Sequence, residues 1–297
     1  MTTASSTMDL AAGSLKAGDR RSRIRIFRNR FWSALCIALS FLTLVPLFSI
    51  VFLVLQKGLP LLNLQVFTQL PPAPGLTGGG FGNAIQGTVL MVFIALLFSA
   101  PLGILSAIYV SEYDPRSRLS NIVRFVAKLL TGIPSIICGV FAFSVVVLST
   151  GTSSAIAGGA ALAVLTLPTI LLTTEQALLG VPKALREASY GLGATKFQTI
   201  VRVVLPEALP AIMTGIMLAV ARAAGETAPV LFTASFSNYW LKSLMQPAAS
   251  LSVLIYNFST LPYNYQIQMA WTASLVLVAL VTITNITAKV VFSRRKR

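Results

Sequence analysis

The sequence predicts an all-α integral membrane protein with six transmembrane helices and both termini on the cytoplasmic side. Three observations carry this. Hydrophobic residues make up 55% of the chain and charged residues only 10%, against about 25% charged in soluble domains. The apolar residues collect in runs long enough to cross a bilayer, which takes about 20 residues. The basic residues alternate from one loop to the next, as Lys and Arg do when they accumulate in cytoplasmic loops. A mean hydropathy of +0.80 agrees with the first observation.

Residues 1–30 are Ser/Thr-rich and then basic, with Arg20-Arg21 as a twin-arginine pair, and are expected to be a disordered basic cytoplasmic tail. The apolar run Phe31–Leu55 is too long for the apolar region of a signal peptide and is expected to be an uncleaved first span. Further spans are expected at about Ala84–Val110, Leu129–Leu148, Ala155–Thr174, Leu209–Phe232 and Met269–Ala288. Together they make a six-helix membrane domain over residues 31–293, followed by a basic tail at 294–297. Pro134 and Pro168 interrupt the third and fourth spans, where membrane helices tolerate proline.

The orientation follows from the loops. The N-terminal tail carries Lys16, Arg20, Arg21, Arg23, Arg25, Arg28 and Arg30. The loop after the second span carries Arg116, Arg118, Arg124 and Lys128, and the chain ends with Lys289, Arg294, Arg295, Lys296 and Arg297. The three intervening outer loops hold only Lys57 and Lys242. The outer loop Gln56–Asn83, with Pro71-Pro72, Pro74 and Gly78-Gly79-Gly80, is loop rather than a domain. The outer loop Ala234–Gln268 holds Tyr239, Trp240, Tyr256, Tyr263 and Tyr265, which suit an interfacial aromatic belt.

Composition also excludes functions. The net charge of +15 flanks apolar runs and forms no continuous patch, which argues against nucleic acid. With no histidine there is no His-based zinc site and no imidazole base. Cys36 and Cys138 lie inside apolar spans and suit small core positions. Gly191 and Gly193 form a lone G-x-G before Lys196, and no phosphate-cradling loop for ATP occurs. The chain is therefore expected to bind no metal or cofactor, and no ATP of its own. It is not expected to be an enzyme.

The polar block VPKALREASYGLGATKFQTIVRVVLP, residues 181–206, stands between two apolar spans. Pro182 suits a helix start, and Leu185, Ala188 and Leu192 share one face at helical spacing. Gly191 and Gly193 end that helix, and Thr195 with Gln198 forms a capping-box pattern that begins a second one. Phe197, Ile200, Val201 and Val204 make the second stripe, and Leu205-Pro206 marks the turn into the fifth span. Taken alone, such a block is either a solvated amphipathic connector or a docking element.

The order Glu187-Ala188-Ser189, then Gly193, then Val203-Val204-Leu205-Pro206 resembles the EAA loop of ABC importer permeases, with Ser189 in place of Ala and Val203 in place of Ile. Further strings are similar to the phosphate-specific permeases of bacterial ABC importers: Gly82-Asn83-Ala84-Ile85, Gly132-Ile133-Pro134-Ser135-Ile136, Thr174-Glu175-Gln176-Ala177-Leu178, Gly193-Ala194-Thr195-Lys196, and above all Arg222-Ala223-Ala224-Gly225-Glu226-Thr227-Ala228-Pro229. The last string resembles the PstA-type permease more than its PstC-type partner.

The resemblance implies a type I ABC importer permease fold in the bacterial plasma membrane. It also implies a PstC-like second permease, a PstB-like ATPase dimer that binds the ATP, and a PstS-like phosphate-binding protein. The loop would then be a coupling element for the ATPase, with Glu187, Ala188, Gly193, Ala194 and Lys196 as its residues.

Arg222 and Glu226 stand four residues apart inside the fifth span, at i,i+4 spacing. A charge at the bilayer centre costs about 2.5–3.5 kcal/mol on insertion scales, so such residues face a cavity or one another. Pro229 is expected to kink the helix beside them. One reading is a structural ion pair. The other is a substrate pathway in which Arg222 attracts an oxyanion, Glu226 accepts a hydrogen bond from protonated phosphate, and Thr227 adds a hydroxyl. Molybdate or sulfate on the same fold is the alternative substrate. A channel or carrier working alone would leave the EAA-like block without a purpose.

Overall fold

The computed structural model describes residues 20–293, and side chains within residues 25–290. Of the tail expected over residues 1–30, residues 1–19 lie outside the described residues, as does the basic tail 294–297; from Arg20 onward the chain is helical. Helix α1, Arg20–Gly58, runs up to Leu53 as a unit by itself. From Phe31 to Leu53 most of its side chains are apolar and exposed, among them Phe41, Leu42, Phe48 and Phe52, as befits a lipid-facing span.

The second unit, Val54–Arg297, holds the remaining elements. After the short α2, Gln65–Thr68, comes α3, Gly82–Tyr113, whose last turn, Tyr109–Tyr113, widens into a π-helix. Then follow α4, Arg118–Gly132; α5, Ser135–Thr150; α6, Ala155–Leu179; α7, Lys183–Gly191; α8, Lys196–Gly225; α9, Ala228–Thr233; α10, Leu251–Ser259; and α11, Asn264–Ser293. Among the described residues five helices are long and apolar enough to cross a membrane, and six if α4 and α5 are counted as one broken span.

The centre is α3 against α6. Membrane helices gain little from hydrophobic exclusion between them, so close packing of small residues takes over. Gly158 and Gly159 of α6 lie against Met91 and Ile94, and Gly103 of α3 lies against Ile170. The Thr166 hydroxyl donates to Ser99 across this seam at 2.9 Å. Val220, Ala223 and Val230 from α8 and α9 close the same core. A second cluster joins α10 to α11. A third gathers Ala107, Leu178, Val181, Val204, Ala208 and Ile212 beneath α7.

Three expected elements take a different form. The third span is bent by 107° between α4 and α5, because Pro134 takes an extended conformation (φ −54°, ψ 134°) that no α-helix contains. The fifth span is interrupted rather than kinked: Glu226 is extended (φ −72°, ψ 128°), and Pro229 stands in the first turn of the new helix α9, where its missing N–H is harmless. Leu205-Pro206 makes no turn, since α8 runs from Lys196 to Gly225 and Pro206 sits within it just past the π-helical stretch Ile200–Val204. The segment Ala234–Gln268 also contains a buried helix, α10, which its aromatic residues did not announce. By contrast, Pro168 lies within an unbroken α6.

Candidate functional site

Two places carry the residues singled out in the sequence. The first is the hairpin of α7 and the start of α8. Pro182 is the N-cap of α7. At its end Leu192, Gly193 and Ala194 donate back to the carbonyls of Ala188, Tyr190 and Ser189. Gly193 has φ +82°, a left-handed turn that side chains disfavour. The capping box is formed: Gln198 N donates to Thr195 Oγ1 at 3.3 Å and Thr195 N to Gln198 Oε1 at 2.9 Å. Between the two helices the buried hydroxyls of Ser189 and Thr199 meet at 2.9 Å.

Two basic side chains of the hairpin, Arg186 and Lys196, reach back to the end of α3, while Lys183 and Arg202 stay exposed. Arg186 donates to the carbonyls of Val181 at 2.6 Å and Leu178 at 2.8 Å, and pairs with Glu112 of α3 at 2.7 Å. Lys196 donates to Tyr113 O at 2.9 Å and sits over the Tyr113 ring, 5.3 Å from its centroid. Beside them Arg124 of α4 pairs with the buried Glu175 of α6 and donates to the carbonyls of Val110 and Pro115. The widened turn at the end of α3 is thus held from three sides.

The apolar side chains go the other way. Leu185, Ala188, Tyr190, Leu192, Phe197 and Val201 are exposed, Leu192 to 90% and Phe197 to 64%, while Ile200 and Val204 alone of the second stripe are buried. Among the described residues the exposed Glu187 makes no ion pair. Neighbouring Ala194 is half-buried.

The second place is the break between α8 and α9. Arg222 Nε lies 3.2 Å from Glu226 Oε1. Arg222 and Glu226 side chains are 38% and 17% exposed, and among the described residues neither terminal nitrogen of the guanidinium has a hydrogen-bond partner. The Thr227 hydroxyl also has none there and caps nothing, so neither a capping nor a back-bonding role is realised. A guanidinium with two free N–H groups presents the fork that matches two oxygens of an oxyanion. The break is packed from α5: a Cβ on Gly139 would lie 2.6 Å from Pro229 Cα, so only glycine admits α9 this closely.

Sequence reasoning singled out Arg222, Glu226 and Thr227, which the structure places at the break between α8 and α9, and Glu187, Ala188, Gly193, Ala194 and Lys196, which it places in the hairpin. It missed the Arg124–Glu175 and Arg186–Glu112 pairs, which join residues far apart in the chain. The available signal was a lone Glu175 at the end of an apolar span, a position that calls for a cation.

Residues 99–297 match the family of binding-protein-dependent transport system inner membrane components. The chain belongs to that family. It is 39% identical to the phosphate transport system permease protein PstA of Yersinia pestis over 91% of both chains. It is 38% identical to PstA of Xylella fastidiosa over 82% of this chain and 84% of that one. Among solved structures, a subunit of a bacterial ABC transporter involved in the import of the acidic polysaccharide alginate superposes with a TM-score of 0.64, covering 93% of this chain and 99% of that one at 17% identity, a likeness of fold. The family member described here is a multi-pass membrane component of an ABC transport system. Its broken fifth span and its hairpin are therefore parts of a permease.

Proposed function

We propose that the chain is one permease subunit of an ATP-driven importer of inorganic phosphate, that Arg222 contacts the anion in transit, and that the hairpin seats in a PstB-like ATPase dimer. The observation that carries the site is the free guanidinium fork at a helix break inside a span. A charged side chain left 38% exposed there cannot face hydrocarbon without the cost of burying a charge in lipid. It faces a water-filled path or another protein, which is what a second, PstC-like permease would complete. Transporters place substrates at such interrupted helices, where unwound backbone lines a cavity. Glu226 sits where it can accept a hydrogen bond from phosphate, which keeps a proton at neutral pH, and reject fully ionised sulfate. The PstA relatives favour phosphate over molybdate or sulfate.

At the other end of α3 and α8 the exposed apolar face of the hairpin suits a groove of the ATPase, with Glu187 free to pair with a basic residue there. The alternation of loop charges favours a cytoplasmic location for this end and for both termini, with the opposite end facing a PstS-like binding protein.

The test is uptake by the whole importer in proteoliposomes, with ATP hydrolysis followed in parallel. Arg222→Ala is expected to lose phosphate uptake at least about a hundredfold while the complex still assembles and hydrolyses ATP; removing one preorganised charged contact commonly costs that much. Normal uptake by Arg222→Ala, or uptake of sulfate alone by the parent complex, would overturn the site or the substrate respectively. Glu187→Lys is expected to uncouple hydrolysis from uptake, and full coupling would refute its role.

A further inference from the structure

Interrupting a helix inside a membrane releases backbone carbonyls that have no water to satisfy them. At the end of α8 the Glu226 N–H still reaches Ala223 O, at a long 3.4 Å. The Glu226 carbonyl itself accepts a hydrogen bond from Ser252 Oγ at 2.8 Å. Among the described residues this is the only side-chain hydrogen bond to the backbone of residues 225–227.

Ser252 is not needed for this by its own helix. The cap of α10 is Ser250, whose Oγ accepts from Val253 N at 3.2 Å. The Ser250 and Ser252 hydroxyls lie 3.1 Å apart. A hydroxyl has one proton. Ser252 gives its proton to Glu226 O, so Ser250 must be the donor between the two. The result is a directed chain from Ser250 O–H to Ser252 O–H to the Glu226 carbonyl, each bond polarising the next. The chain is rigidly mounted: Ser250 and Ser252 are 2% and 5% exposed, and Leu251 N donates to Thr88 Oγ1 of α3 at 2.8 Å.

We propose that Ser252 is a positioning residue for the anion site: its hydroxyl fixes the main chain of Glu226 at the break and so sets the direction of the Arg222–Glu226 pair. It touches neither the anion nor the two charged groups, and it acts through the backbone that carries one of them. Because α10 belongs to the segment between the fifth and last spans, the hydroxyl chain also ties the site to that segment. This inference rests on the reading of Arg222 and Glu226 as the pair that meets the anion.

The experiment uses the whole importer in proteoliposomes and compares Ser252→Ala, Ser252→Thr and Glu226→Gln. Uptake of phosphate and sulfate and the phosphate moved per ATP are measured. With the hydroxyl lost, maximal phosphate uptake and phosphate moved per ATP are expected to fall about tenfold, the scale of one good hydrogen bond. Assembly and ATP hydrolysis are expected to stay at parent level, and Ser252→Thr, which keeps the hydroxyl, to recover most of the loss. A merely structural role would lower assembly and hydrolysis together with uptake, and that result overturns the inference. Parent behaviour of Ser252→Ala beside a defective Glu226→Gln overturns the inference alone. Parent behaviour of both overturns the reading of the anion site beneath it.

Discussion

In the hairpin, Leu185, Leu192 and Phe197 face outward, while Arg186 and Lys196 are tied into the body of the protein. At the break in the fifth span the surroundings are apolar, and Arg222 is left with a free fork. Each region shows the wrong polarity for its solvent: apolar groups where water is expected, a charge where lipid is expected. Each is also firmly held from behind, by salt bridges in one case and by a glycine contact and a serine hydroxyl in the other. Such combinations of a rigid support and an unsatisfied face are what partner surfaces and transport paths require. On the proposed function they differ in what completes them: a groove of protein for the hairpin, an anion for the break.

The comparison can be broken most forcefully at the support of the hairpin. Glu175 is 4% exposed and depends on Arg124. Arg124→Leu strands a buried carboxylate and is expected to destabilise the protein by about 3–5 kcal/mol. Replacing both, Arg124→Leu with Glu175→Leu, is expected to recover most of that loss, because apolar substitutes for a buried pair are often neutral. Thermal unfolding in detergent reads both. If the single and double variants are equally unstable, the charge is not the reason for the support.

The support of the break comes next. Gly139→Ala places a methyl 2.6 Å from Pro229 Cα, and backbone cannot rotate aside as a side chain does. A cost of about 1–3 kcal/mol is expected from such overpacking. Uptake should fall although Gly139 carries no functional group, and parent uptake with parent stability would mean that α9 is free to move.

The exposed face of the hairpin should behave oppositely. Leu192→Ser and Phe197→Ser remove side chains that are 90% and 64% exposed, so stability should change by no more than about 0.5 kcal/mol. Affinity for the ATPase should fall about tenfold or more, as anchors of an interface do. Binding of the ATPase to the membrane complex measures it, and unchanged affinity would return the hairpin to the status of a solvated connector.

Much of this was legible in the sequence, for reasons that differ by element. Long apolar runs announced the spans, because burial in lipid needs only composition and length. The Thr195–Gln198 capping box and the Gly193 turn were legible because they are local in sequence. The Arg222–Glu226 pair was legible because charge in a span is rare. The outcome at Glu226 was not: Pro229 suggested a kink in a continuous helix, whereas the chain leaves the helix before reaching it, under the packing of α5 and the hold of α10. Helix α10 itself is a run too short to span, which periodicity cannot separate from loop with aromatic residues. The facing of Leu185 and Leu192 was also illegible, since helical spacing shows that residues share a face and not which way the face turns.

The smallest effect is expected between the two halves of the hairpin. This chain has Ser189 where the EAA pattern has its second Ala, and the structure gives the hydroxyl a partner in Thr199, which is 1% exposed. Ser189→Ala therefore restores the pattern yet leaves the Thr199 hydroxyl buried and unpaired. A loss of about 1 kcal/mol is expected rather than a gain. Ser189→Ala combined with Thr199→Val removes both polar groups and should come back close to the parent, so the two substitutions should be strongly non-additive. Unfolding midpoints of the parent, the two single variants and the double variant give the coupling directly. Simple additivity would mean that the hydroxyls are neighbours without being partners, and that the hairpin owes its stiffness to Arg186 and Lys196 alone.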